Sequence, residues 1–290
     1  HVETYLKAVD RVIRRNRKQV RRDRATQHVA ASPMPHVTRM LISDVDNTLL
    51  GDRAGLAALT RLLRERPREL GFGVATGRHL PSALAALKQA RVPHPDVLIT
   101  AVGSEIHYGP ALRPDSGWPP HIQSRWRRDA LAALLADEPG LRPQSDDQQS
   151  EFKLSYLVDP AAPSDMRALR GRLRAAGLHA NLIHSHGVYL DVLPVRASKG
   201  QAIRYLAYKW SLPLSAFLVA GDSGNDLEML VGDTQAVVVS NHSPELERLR
   251  GMEQVYFADA PCAAGVLEGM AHYGLTAGPP PAPQPEKAAA

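Results

Sequence analysis

Two short stretches collect carboxylates. "DVDNT" sets Asp44 and Asp46 two residues apart where an apolar run stops, and "GDSGND" sets Asp222, Asn225 and Asp226 directly after another such run. Burying one unpaired carboxylate is costly, and neighbouring like charges raise each other's pKa, so the first pair calls for a cation or a shared proton between its members. Brought to one sheet edge, four carboxylates and an amide form an oxygen-rich site for a hard cation. Mg2+ suits it, because that ion accepts a few carboxylates together with waters and a substrate phosphate. The plainer reading makes each Asp a helix N-cap or a turn former. Two further segments weigh against it.

Those segments are "ATGR", with Thr76 and Gly77, and "ASKGQAI", with Lys199. A phosphoryl group needs donors and positive charge on its oxygens. Thr76 and the Gly77 amide offer hydrogen bonds at an expected helix start, and Lys199, ahead of the helical run "QAIRYLAYKW", offers a point charge. Competing motifs fail on context. "GDSG" around Ser223 lacks the His and Asp partners of a serine nucleophile. "GFGVATG" puts Thr76 where a dinucleotide loop has its third glycine, and there is no GxxxxGK[ST] loop. "HSH" at His184 to His186 reads as a surface turn, without the further spacing of a metal site.

The elements that must position these residues follow from periodicity. Apolar runs of four to six residues ("RMLIS", "FGVAT", "DVLITAV", "AFLVAGD", "AVVVSN") alternate with helical patterns. That predicts an α/β fold: a Rossmann-like parallel sheet core with helices on both faces, and ligands beyond the carboxyl ends of its strands. The alternation breaks between about Leu112 and Val195. Here the pattern predicts a helix over "HIQSRWRRDALAALLAD", a strand over "FKLSYLVD", a second helix over "SDMRALRGRLRAAG" and a hairpin of "ANLIHS" with "VYLDVL" turning near Ser185 to Gly187. This inserted α+β block is expected to be a cap domain over 113–195, with crossings near Gly109 to Pro114 and Pro194 to Ala197. The core then comprises 39–112 and 196–275. A basic helix over 1–28, a small-residue and proline linker over 29–38, and a disordered Pro/Ala tail over 276–290 complete the expected organisation.

Composition sets bounds. The chain has 290 residues, enough for a large core, and Cys262 is its only cysteine, which excludes an intrachain disulfide and fits a reducing, cytoplasmic setting. No apolar run reaches the roughly 18 residues of a membrane span. The net charge of +5 is local: between Arg11 and Arg24 the balance is +7, which leaves −2 for the remainder, so no nucleic-acid groove is expected on the globular part.

DxDxT, a strand-end Thr, a lysine at a helix and GDxxxD, in this order, resemble the haloacid dehalogenase-like phosphohydrolases. "LISDVDNTLLGD", "ATGR", "TAVGSEI", "PQS", "DVLP", "SKG" and "GDSGND" together resemble the sucrose-phosphatase family within that group, over about Arg39 to Leu275. The leading "HVETYLKAVDRVIRR" is similar to the last helix of the glycosyltransferase part of bacterial sucrose-phosphate synthases, which makes a segment of a longer polypeptide, with a fused or associated transferase domain, the expectation. The resemblance implies Asp44 as nucleophile and Asp46 as the acid that protonates the departing sugar oxygen and then deprotonates water. It implies Mg2+ held by the Asp44 side chain, the Asp46 carbonyl and Asp222, with Asn225 and Asp226 orienting ligands, and phosphate held by Thr76, Gly77 and Lys199. Sugar selection falls to the cap, where Gln144, Lys153 and Ser155 are the expected contacts; solvent-facing strand residues are the alternative. The implied substrate is the small molecule sucrose 6-phosphate. Alternatives are trehalose 6-phosphate or a mannosyl-phosphoglycerate, and a non-catalytic regulatory module.

Overall fold

The computed structural model describes residues 36–161 and 164–275. The basic helix expected over 1–28, most of the linker over 29–38 and the tail over 276–290 lie outside the described residues.

Strand β1 (Arg39–Ser43) is apolar from Met40 to Ile42 and, apart from Arg39, buried, as a strand covered on both faces must be. Asp52 then caps helix α1 (Arg53–Glu65), its carboxylate accepting from the Ala54 and Gly55 amides. Strand β2 (Leu70–Ala75), helix α2 (Leu80–Gln89) and strand β3 (Val97–Thr100) follow. Among the described residues the larger sheet runs, edge to edge, Val255–Phe257 (β12), Gln235–Val238 (β11), Phe217–Gly221 (β10), β1, β2, β3, Glu105–Tyr108 (β4) and Arg113–Pro114 (β5). The first six positions are parallel, with β10 (Phe217–Gly221) beside β1, then β11 (Gln235–Val238) and β12 (Val255–Phe257). Side chains alternate between faces. Leu41, Phe72 and Leu218 join Leu59 and Leu63 of α1 and, from the C-terminal helix Cys262–His272, Val266 and Met270 in one core. Phe217 points the other way, where the Trp210 ring stacks on it at 6.3 Å.

The sheet does not stop at residue 112. β4 (Glu105–Tyr108) and β5 (Arg113–Pro114) extend it as antiparallel edge strands, so the crossing expected near Gly109 to Pro114 is instead part of the core. The reason is Asp115. Its buried carboxylate accepts from the Lys209 ammonium at 2.6 Å, the Tyr205 hydroxyl at 3.0 Å, the Tyr108 hydroxyl, and the Gly117 and Trp118 amides. Burial alone would raise its pKa, but the bonds from Lys209 and Tyr108 outweigh burial and hold the carboxyl below the ordinary range. Beyond it, the helix expected over residues 121–137 is two, α3 (Trp118–Ile122) and α4 (Arg128–Ala136), with Arg125 between them at φ +64°. The two tryptophans show why. Trp118 donates from Nε1 to the Gly103 carbonyl of the core, and Trp126 donates to the Glu151 carbonyl of the inserted block. The chain therefore changes body between them.

The inserted block is a four-stranded antiparallel sheet in the order β6-β7-β9-β8, made of β6 (Leu141–Pro143), β7 (Leu154–Val158), β8 (Asn181–Ser185) and β9 (Tyr189–Leu193). Helices α4 and α5 (Met166–Ala175) cover one face, where Leu131, Leu169, Leu154 and Val192 meet. The opposite face carries Ser155 and Asp191, which are register partners. The chain re-enters the core through Pro194–Ser198 into α6 (Lys199–Trp210).

Asp115→Ala leaves Lys209 and two tyrosine hydroxyls without their acceptor. It is expected to destabilise the fold by about 3 kcal/mol, the lower end for deleting one partner of a buried ion pair, read as a lower urea midpoint at unchanged slope.

Candidate active site

Because β10, β1 and β2 are neighbours, their carboxyl ends deliver Asp222, Asp44 and Thr76 to one place. One oxygen from each of Asp44, Asp222 and Asp226 lies within 4.8 Å of the others, and all three residues are buried. Lys199, wholly buried at the first turn of α6, donates from Nζ to Asp44 Oδ1 and to Asp226 Oδ1, each at 2.6 Å. The second Asp226 oxygen accepts from the Asp222 and Ser223 amides at 3.0 and 3.1 Å, so this carboxylate knits the loop to the lysine. Gly221 permits the arrangement: a Cβ there would lie 2.5 Å from Asp226. Thr48, the last residue of "DVDNT", donates to Asp222 Oδ1 at 3.2 Å, a contact that sequence reasoning did not assign.

Three carboxylates share one ammonium, and the imbalance shows in their protonation. Burial pushes Asp222 up to about 7, with the nearby Asp226 adding to it and Lys199 opposing. Burial likewise drives Asp44 well above the ordinary carboxyl value, against the pull of Lys199. For Lys199 burial favours loss of the proton, yet Asp226 and Asp44 outweigh it and raise its pKa. Asn225 Oδ1 is buried here without a hydrogen-bond partner. An uncompensated negative excess and an orphaned amide oxygen are the donor set that a hard divalent cation fits.

Asp46 corrects the expectation drawn from "DVDNT". Its carboxylate stands outside the cluster of Asp44, Asp222 and Asp226 and turns to Arg78, accepting from Nη2 at 2.7 Å and Nε at 2.8 Å. Ser82 accepts from the same guanidinium at 2.9 Å. "ATGR" contained this arginine, and its Cα position one residue past Gly77 was the available signal. Thr76 is completely buried and its hydroxyl accepts from the Arg78 amide at 3.2 Å, while the helix begins only at Leu80, three residues later than a helix-start reading requires. Gly77 borders the open space above.

That space is a cavity of about 570 Å³ between the strand ends and the inserted sheet, bordered below by Asp44, Asp46 and Asn225. Gln144 and Lys153 border it from above; Ser155 does not, because its hydroxyl is buried and donates to Asp191 Oδ1 at 2.5 Å. Asp191 takes its place on the cavity wall. Lys153 is almost wholly buried, with Nζ 3.7 Å from Asp191 and donating to the Gly77 carbonyl at 3.4 Å. His186 also reaches the cavity, so the "HSH" turn is not merely surface; Gln148 and Tyr189 are further wall residues missed in the sequence. Period-two alternation places Tyr189 and Asp191 on one face of β9 and would have found both.

The sucrose-6F-phosphate phosphohydrolase family matches residues 37–274. Sucrose-phosphatase 1 of Nicotiana tabacum is 33% identical over 252 residues, 81% of this chain and 59% of that protein. The chain thus spans about three fifths of the length of the plant relatives it matches. Mannosylfructose-phosphate phosphatase of Agrobacterium fabrum is 28% identical over 82% of this chain and 97% of its own. The crystal structure of the Synechocystis sucrose-phosphatase with sucrose and phosphate superposes with a TM-score of 0.78 at 36% identity, covering 82% of this chain and 98% of that one. Among the described residues no helix is long and apolar enough to cross a membrane.

The strand-end electrostatics have a consequence for stability. Asp222 binds its proton more tightly folded than unfolded, so its contribution is fully present below the unfolded value of 3.8 and is lost as pH rises through about 7. In chelator the protein is expected to melt higher at pH 5 than at pH 7.5. Asp222→Asn should raise Tm at pH 7.5 by several degrees and shrink that difference, and MgCl2 should raise the wild-type Tm at pH 7.5 but not that of the variant, all read by calorimetry.

Proposed function

The chain belongs to the sucrose-6F-phosphate phosphohydrolase family, and from that premise we propose that it is a Mg2+-dependent phosphatase that hydrolyses sucrose 6-phosphate to sucrose and inorganic phosphate. The observation that carries the reading is Asp44: a buried carboxylate, ion-paired to a buried lysine, on the floor of a cavity whose roof is a separate sheet.

In the proposed reaction one Asp44 oxygen attacks phosphorus, and the bond from phosphorus to the sugar oxygen breaks. Protonated Asp46 gives that oxygen its proton. The Asp46 carboxylate then takes a proton from water as the water attacks the aspartyl-phosphate, which frees Asp44 and inorganic phosphate. Two such steps replace one of the slowest uncatalysed hydrolyses in water. Lys199 holds Asp44 in place and lies beside the phosphate position, while the Gly77 amide and Arg78 are further phosphate donors; Thr76, buried beneath, fixes the Arg78 amide. The Asp46–Arg78 pair is 44% and 36% exposed, so it is weak enough for an incoming phosphate to compete for the guanidinium and release the acid. Asp44 and Asp222, with the Asp46 carbonyl, would hold Mg2+, and Asn225 and Asp226 would orient them; when bound, the ion neutralises charge on the phosphoryl oxygens. Gln144, Lys153 and Asp191 are the sugar contacts on the cap, here residues beyond Ile122 to about 195, with Ser155 orienting Asp191.

The similarity to a mannosylfructose-phosphate phosphatase supports a second reading, in which another disaccharide phosphate is the substrate. The likeness of residues 1–28 to a transferase helix supports a place beside a glycosyl transfer that forms the sugar phosphate.

Phosphate release from sucrose 6-phosphate, mannosylfructose 6-phosphate and trehalose 6-phosphate, with MgCl2 or chelator, tests the substrate. Sucrose 6-phosphate is expected to give the highest kcat/KM, and only with the metal; preference for another sugar phosphate moves the substrate, and no turnover of any ends the enzymatic reading. Asp44→Asn should abolish turnover, and Asp46→Asn should lower kcat by roughly 10²–10⁴-fold. Lys153→Ala should raise KM about tenfold or more, as for a lost hydrogen bond to a charged group, with a smaller change in kcat.

A further inference from the structure

Glu228 lies outside the cavity, yet both of its carboxylate oxygens are used, one by each body of the protein. From the inserted sheet, Asn181 at the start of β8 donates from Nδ2 to Glu228 Oε1 at 2.8 Å and, more weakly, to the Ala197 carbonyl at 3.2 Å. From the core, the Ser198 hydroxyl donates to Glu228 Oε2 at 2.6 Å. Ser198 is the N-cap of α6; its oxygen also accepts from the Gln201 amide at 3.0 Å, and the next residue is Lys199. Backbone contacts reinforce the joint. A Cβ on Gly200 would lie 2.2 Å from the Glu228 carbonyl oxygen, and Arg204 donates to that same oxygen at 3.1 Å. A continuous path therefore runs from cap strand to Glu228, to the cap of α6, to the lysine on Asp44. Among the described residues the Glu228 carboxylate makes no ion pair, so this half-buried anion rests on neutral donors, a dearer arrangement than an amide would need if it only filled space.

We propose that Glu228 is a positioning residue for Lys199, and that through Asn181 it ties the lysine's placement to the seating of the cap. This rests on the reading of Lys199 and Asp44 as the centre of a phosphatase, and deepens it: a phosphate ester whose alcohol engages the cap is turned over with Lys199 held in register, whereas a small ester that does not reach the cap gains nothing from the link.

The test compares sucrose 6-phosphate with p-nitrophenyl phosphate. Asn181→Ala is expected to lower kcat on sucrose 6-phosphate about tenfold, within the range for residues coupled in one hydrogen-bond network, with little change on p-nitrophenyl phosphate or in Tm. Glu228→Ala should lower kcat on both substrates. Asn181→Ala added to it should cost little more on the sugar phosphate, since only the Asn181–Ala197 bond is then left to lose, and Glu228→Gln, which keeps one acceptor for Asn181 and can meet Ser198 only by donating to its oxygen, should restore part of the rate. Equal losses on both substrates in Asn181→Ala, or losses that multiply in the double variant, overturn the link. A readout independent of turnover is amide hydrogen exchange at Gln201 and the following residues of α6. Asn181→Ala should speed it, and unchanged exchange overturns the proposal even if the wild type is active. Failure of the wild type to hydrolyse either ester, with faster exchange in the variant, would instead defeat the phosphatase reading and leave the link standing.

Discussion

A fully buried ammonium held between two buried carboxylates is the constraint on which the rest of the structure turns. Desolvating Lys199 is tolerable only because Asp44 and Asp226 meet it at 2.6 Å. Both contacts depend on where α6 begins, so the helix start is gripped on two sides. A Cβ on Gly103 would lie 2.1 Å from the Ser198 carbonyl carbon, and one on Gly200 would lie 2.2 Å from the Glu228 oxygen. Only glycine allows backbone segments to close so tightly on the turn that carries the lysine. The turn at Ala101 and Val102, with φ of +50° and +59°, is strained for residues bearing a Cβ, and it gives its amides to the Arg78 and Thr76 carbonyls. It thereby braces the "ATGR" loop against the same helix start.

The lysine does not balance the charge around it. Asp226 spends one oxygen on Lys199 and the other on two loop amides, which leaves Asp222 and a share of Asp44 uncompensated. Burial then pushes protons back onto these carboxyls, and a divalent cation relieves the same imbalance without a proton. Asp46 escapes the problem by leaving the cluster for Arg78, which is why it can remain partly exposed and free to change partners.

What was legible in the chain is what local periodicity and strand-end chemistry encode. The apolar runs gave the parallel strands, because a strand buried on both faces has little choice of composition. The adjacency of β10, β1 and β2 then brought the two Asp motifs and Thr76 together, and the first turn of α6 brought Lys199 to Asp44 and Asp226. What was not legible depends on pairings distant in sequence. The partner of Asp46 is 32 residues away, and nothing local distinguishes a carboxylate facing a metal from one facing an arginine. Ser155 lies on the cavity face of β7 as alternation requires, but the register that opposes it to Asp191 turns its hydroxyl inward. The late crossing into the cap hangs on Asp115 meeting Lys209, 94 residues on. An isolated acidic residue between a proline and a serine carries no sign of that.

The cations around the cavity share one property that bears on what can bind there. Each already has a carboxylate: Lys199 has Asp44 and Asp226, Arg78 has Asp46, and Lys153 stands near Asp191. Anion binding is therefore an exchange of partners, not capture by free charge. Inorganic phosphate that draws Arg78 and Lys153 toward itself strands Asp46 and Asp191 beside a site already rich in negative charge. A sugar phosphate avoids this. On the proposed reading its phosphate would meet the cations, its hydroxyls would donate to the carboxylate that Lys153 has loosened, and its bridging oxygen would take the proton that Asp46 carries. If the proposed reading holds, the wall of paired charges would favour a ligand carrying an anion and a cluster of hydroxyls on one scaffold over either part alone, and would favour release once the two parts separate.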